Sequence, residues 1–147
     1  MGTISKIGLA SDHAGFDMKQ KVKKHLESAG YQVKDFGTNS AESVDYPDFA
    51  HPLAESVENK ELDIGFTLCG SGNGISMAAN KHQGIRSAIC WNEEICALAR
   101  QHNNANVCSL PARFLTEDQI LRIVDIFIST DFEGGRHEAR VNKIPVK

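Results

Sequence analysis

Six consecutive residues, Cys69-Gly70-Ser71-Gly72-Asn73-Gly74, interleave a thiol and a hydroxyl with three glycines. An apolar run, Leu62 to Leu68, precedes them, and a helix-like segment, Ile75 to Asn80, follows. The pattern reads as a strand, a tight turn and a helix N-terminus. The first N–H groups of a helix have no partner within it and the helix dipole is positive there, so bared amides at that end attract anions. A thiol beside such a nest is shifted toward thiolate. One loop thus offers a proton acceptor and a cradle for the charge that proton removal creates. It is not a dinucleotide fingerprint: that spacing would need glycine at Ile75 or Met77, and the loop follows the third expected strand, not the first. A P-loop is excluded because no Gly-Lys pair occurs. Glycines alone would indicate only a tight turn; the interleaved Cys and Ser favour chemistry.

Three other clusters carry reactive or charged side chains. In Ser11-Asp12-His13-Ala14-Gly15, Asp12 reads first as a helix cap. With His13 beside it at the end of the first strand, ligand contact competes with that reading. In Gln101 to Asn106, His102 shares a helical face with Ile95, Leu98 and Ala99, where a lone histidine is by default a core residue. Asn103 and Asn104 suit a helix end. Histidine is nonetheless the side chain best suited to proton transfer near neutral pH. Arg136 and Arg140, at i and i+4, would share a helix face and could fork onto a phosphate. The alternative is a solvated terminal helix. Cys90, Cys96 and Cys108 contain no C-x-x-C pair and read as small buried hydrophobes rather than as a zinc site.

The elements that must position these groups are legible as an alternation. Lys6 to Ala10 reads as a strand. Met18, Val22 and Leu26 form a helical stripe that stops at Gly30. Strands are expected at Tyr31 to Phe36, Leu62 to Leu68, Ile85 to Cys90 and Ala105 to Leu110. Helices are expected around Phe49 to Val57, with Pro52 tolerable only near the start, from Ile75 to Asn80, and through Ile95 to His102. Another carries Ile120, Ile123, Val124 and Phe127, with Thr116 and Gln119 as a capping box. Asn39 to Tyr46 is polar and loop-like, and a basic tail, Arg136 to Lys147, follows Gly134 and Gly135. Such regularity implies one domain over residues 1–147 with a three-layer αβα, Rossmann/flavodoxin-like fold. It would have a five-stranded parallel sheet and a C-terminal helical tail. Ligands of such sheets sit beyond the carboxyl ends of the strands, where Asp12, His13, Cys69 to Gly74, Trp91, Asn92, Pro111 and Arg113 should lie.

With 147 residues, 41% hydrophobic and 24% charged, the chain suits one globular core. A formal net charge of −3 gives no footprint for nucleic acid. The start of the chain has no signal-peptide pattern and no apolar run approaches membrane-spanning length, so a reducing cytoplasm is the expected compartment.

Five stretches, each weak alone, resemble the ribose-5-phosphate isomerase B family, which includes the galactose-6-phosphate isomerase subunits. They are Ser11 to Gly15, Asp45-Tyr46-Pro47-Asp48, Cys69 to Gly74, His102 to Asn106, and Gly134 to His137 with Arg140. The resemblance implies interconversion of ribose 5-phosphate and ribulose 5-phosphate in the pentose phosphate pathway, with no cofactor and no metal. By position, it implies that Cys69 moves the proton between C2 and C1 and that Ser71 assists proton movement between the two oxygens. Gly70, Gly72, Asn73 and Gly74 would hold the enediolate, His102 would open the sugar ring, and Asp12 and Asn103 would contact the sugar. His13, Arg113, Arg136 and Arg140 would grip the phosphate. It further implies a homodimer with shared sites, His102 and Asn103 facing the partner's Cys69, and leaves a dimer of dimers open. A six-carbon substrate, allose or galactose 6-phosphate, is the near alternative. A non-catalytic flavodoxin-like phosphate-binding module is the distant one, and it leaves Cys69 and His102 without a role.

Overall fold

Three strands are buried along their length. They are β1 (Lys6–Ser11, buried after its first residue), β3 (Ile64–Cys69) and β5 (Val107–Pro111) in a computed structural model that describes residues 3–147. Continuous burial is what a parallel strand covered on both faces requires. The edge strands β2 (Gln32–Asp35) and β4 (Ser87–Ile89) are shorter than their apolar runs suggest and only partly buried. All pairings are parallel, in the order β2-β1-β3-β5-β4. The chain steps outward from β1 to β2 and then returns past β1 to β3. This reversal opens a crevice above the carboxyl ends of β1 and β3.

Helices cover both faces. On one, Val22 and Leu26 of α1 (Phe16–Ser28), Cys96 and Ala99 of α4 (Glu93–Asn103), and Ile120 to Phe127 of α5 (Glu117–Ser129) pack on Leu9, Phe66 and Cys108. On the other, Leu53, Ala54 and Val57 of α2 (Pro47–Glu58) meet Ala79 of α3 (Asn73–Ala79) and Val107. The three-layer architecture is as expected. The tail folds as α6 (Arg136–Val141), which packs on α4. Among the described residues no helix is long and apolar enough to cross a membrane.

Local physics accounts for the details. The capping box forms: Thr116 Oγ1 accepts from Gln119 N at 3.2 Å, and Thr116 N donates to Gln119 Oε1 at 2.8 Å. Helix α2 begins at Pro47, so Pro52 falls in the second turn rather than near the start. Asp48 and Pro52 are both exposed, so water can serve the carbonyl that loses its donor. Helix α4 is rotated from the expected stripe. Cys96, Ala99 and Arg100 are buried, whereas Ile95, Leu98 and His102 are only half-buried. Buried Lys19 is held by both oxygens of Asp35, at 2.7 and 2.6 Å, which ties α1 to the end of β2.

Candidate active site

The crevice above β1 and β3 holds a cleft of about 1000 Å³. Its walls are Asp12 and His13 after β1, Cys69, Gly70, Ser71 and Gly74 after β3, Arg113 and Phe114 after β5, and residues 43–48 of the long β2–α2 connection. Four segments far apart in sequence therefore converge where the sheet's strand order reverses.

Cys69 closes β3 with 5% of its surface exposed, and it lines the cleft. Gly72 N donates to its Sγ at 3.2 Å. That bend needs Gly72 in the left-handed region, at φ +78°, where a side chain is strained. Ser71 is exposed, and its Oγ accepts from Asn73 N at 3.2 Å. The amides of Gly70 and Ser71 make no hydrogen bond among the described residues, so two donors beside the sulfur are free for an anion. Ala112 N donates to Cys69 O at 2.9 Å and Arg113 N to Gly70 O at 3.0 Å. These bonds bring the Arg113 side chain over Gly70, where a Cβ would meet Nη1 at 3.0 Å. Gly72 and Asn73 do not line the cleft. Gly72 backs onto Pro111 N, and Asn73 faces solvent.

Asp12 serves as the cap that its position suggests: Oδ1 accepts from Ala14 N at 2.9 Å and Gly15 N at 3.2 Å. It also lines the cleft, so the two readings coexist on one carboxylate. His13 Nδ1 accepts from Val44 N at 3.2 Å, which leaves Nε2–H as the donor of the neutral ring. Tyr46 stands over Gly74, where any Cβ would lie 2.5 Å from the ring carbon Cζ. Tyr46 belongs to a stretch that carries the family resemblance but had no role attached to it, and Val44 and Phe114 are walls that no motif marks. For Val44 the available signal was the length of the β2–α2 connection, since long ordered loops are commonly functional.

His102, Asn103, Arg136 and Arg140 are not in this cleft. Helix α4 starts at the carboxyl end of β4 and runs back to the start of β5, about 16 Å for its length. His102 and Asn103 therefore lie toward the amino end of the strands, opposite the carboxyl end that carries Cys69. There the rings of His102 and His137 stack at 4.2 Å and 14°, and Glu133 Oε1 lies 3.9 and 3.6 Å from their Nε2 atoms. Burial, then the neighbouring His102 and Arg136, push the His137 imidazole down. Arg136 and Arg140 are exposed, with no side-chain partner among the described residues. Two groups bring three potential metal-binding atoms within 4.8 Å of one another: His102 with Glu133 and His137, and Cys90 with Cys96 and Cys108. Neither lies in the cleft.

Similarity to known proteins runs the whole length of this arrangement. The family model for Ribose/Galactose Isomerase matches residues 7–144. The chain is 45% identical to a probable ribose-5-phosphate isomerase B of Mycoplasma genitalium, over 94% of this chain and 92% of that one. It is 41% identical to ribose-5-phosphate isomerase B of Escherichia coli, over 96% and 95%. The crystal structure of a ribose 5-phosphate isomerase from Thermotoga maritima superposes with a TM-score of 0.95 at 50% identity, covering 97% of this chain and 99% of that one. The Mycoplasma genitalium enzyme with bound ribulose-5-phosphate superposes with a TM-score of 0.92 at 43% identity, over 97% and 95%. With the fold, the glycine loop and the matched length in agreement, the chain belongs to the ribose/galactose isomerase family.

Proposed function

We propose that the chain is an aldose–ketose isomerase that interconverts ribose 5-phosphate and ribulose 5-phosphate through an enediolate. One observation carries this reading: Cys69 lies in the wall of a cleft beside the unpartnered amides of Gly70 and Ser71. A proton next to a carbonyl is removable only if the resulting oxyanion is stabilised. One preorganised donor is typically worth about 3 kcal/mol. Cys69 takes the proton from C2 and returns it at C1, while Ser71 shuttles the hydroxyl proton between the two oxygens. Arg113 and His13 hold the phosphate, which orients the reacting carbons through a part of the substrate that does not react. Asp12 contacts the sugar hydroxyls.

His102, Asn103, Arg136 and Arg140 complete the site from a second copy of the chain. Their place at the far end of the sheet, the free guanidinium groups and the half-buried Ile95 and Leu98 beside them support that pairing. The reaction belongs to the pentose phosphate pathway, in the cytoplasm. The test is purified protein with ribose 5-phosphate in the presence of EDTA. Ketose formation is expected, and its absence rejects the assignment. Rates on allose and galactose 6-phosphates, measured alongside, separate five-carbon from six-carbon preference.

A further inference from the structure

Three cysteines on three successive elements meet inside the protein, away from the cleft. Cys90 follows β4, Cys96 lies in α4 and Cys108 lies in β5. All three are completely buried, and their sulfurs lie within 4.8 Å of one another. Their spacing resembles no metal-binding motif, so the fold, not the sequence, assembles the cluster. Aliphatic and aromatic neighbours, Leu110, Ile123 and Phe127 among them, surround it. Cys96 Sγ donates to Ile123 O at 3.4 Å and Cys90 Sγ to Ala88 O at 3.7 Å. Hydrogen bonds from Cys108 and Cys90, and then the charge of Arg100, outweigh burial and pull the Cys96 thiol below its ordinary value. Burial holds Cys108 well above the usual thiol range.

We propose that Cys90, Cys96 and Cys108 form a three-sulfur binding site for a trivalent thiophilic ion, with arsenite as the matching species. Bonds of about 2.3 Å, the length of zinc–thiolate bonds, place three sulfurs about 3.5–4 Å apart around one centre. Because the sulfurs already lie within 4.8 Å of one another, a contraction of at most about 1 Å is needed, within reach of side-chain rotation. Charge selects the ion. Three thiolates around a trivalent centre are neutral, whereas a monovalent ion would leave more negative charge in a dry core than the nearby Arg100 offsets, at high desolvation cost. Ligand number agrees, because zinc takes a fourth ligand and the cluster gathers three among the described residues. The reaction balances without redox. Each S–H proton joins a departing hydroxyl of As(OH)₃, three As–O bonds give way to three As–S bonds, and three waters leave.

The test uses the full-length Cys69→Ala protein, so that the cleft thiol is not counted. Arsenite is titrated into the folded protein, and bound arsenic is counted per chain after desalting. One arsenite per chain should be retained, with near-ultraviolet absorbance corresponding to three As–S bonds. Adding Cys96→Ala or Cys108→Ala should weaken binding by about 100-fold or more, since each tethered ligand binds in an intramolecular step. Retention of no arsenite, fewer than three As–S bonds by absorbance, or undiminished binding in a folded double variant, overturns the proposal. So does zinc binding as tight as arsenite binding. Should the double variants not fold, the stoichiometry with three cysteines present still decides.

Discussion

Cys69 sits where a buried parallel strand ends, so its backbone is rigid while its sulfur meets the cleft. Replacing it with alanine removes the proposed base and leaves the phosphate grip intact. Cys69→Ala should lower kcat by about 10²–10⁴, while a non-reacting sugar phosphate binds as before in calorimetry. Gly74 offers a sharper separation of activity from stability. It lies inside α3, where alanine is the better helix former, yet its Cβ would collide with the half-exposed Tyr46 ring. Gly74→Ala should push Tyr46 out of the cleft wall and lower kcat/KM by about tenfold or more with an undiminished Tm. Full activity in that variant would remove Tyr46 from the site.

Among the elements, the start of the sheet is fastened by Asp63, just ahead of β3. Its Oδ2 accepts from Ser5 N at 2.8 Å and Lys6 N at 2.9 Å, and its own N–H donates to Lys6 O. Burial raises the carboxyl's affinity for a proton, but the Ser5 and Lys6 amides outweigh it and hold Asp63 below its ordinary value. A depressed carboxylate stabilises the fold above its unfolded pKa and loses that contribution as pH falls through the folded value. Asp63→Asn should therefore melt below the parent at neutral pH, and the gap should close in strongly acidic buffer. A constant gap in melting curves across that range would show that the charge is not what matters.

For the molecule as a whole, the division of site residues between two ends of the sheet makes the proposed dimer a requirement of chemistry rather than of stability. A Cys69→Ala chain keeps a sound His102 end, and a His102→Ala chain keeps a sound cleft. After unfolding and refolding together in equal amounts, half of the dimers are mixed, and each mixed dimer has one intact site. Recovery to about one quarter of the parent activity is expected from two inactive proteins, as two-fold symmetry demands. No recovery would place both groups in one chain's site or deny the pairing.

Residue order alone was enough for the alternation of strands and helices, because apolar periodicity reflects which face of an element is buried. It was enough for the glycine loop too, since a bend such as that at Gly72 demands a residue without a Cβ. The capping of α5 is likewise a local matter, settled within four residues. Distance in space is another quantity. The sequence places His102 on the stripe of Ile95 and Leu98, but the packing of α4 buries Cys96 and Arg100 instead, because contacts with α5 and β4 set the helix rotation. Tyr46 reaches the cleft only through the path of an irregular loop, which carries no periodic signal. Three unrelated cysteines meet because β5 lies beside β4 and α4 crosses over them, and strand order is a property of the folded sheet. Local patterns record what each segment buries; only the assembled chain determines which segments share a surface, because that depends on contacts between residues distant in sequence.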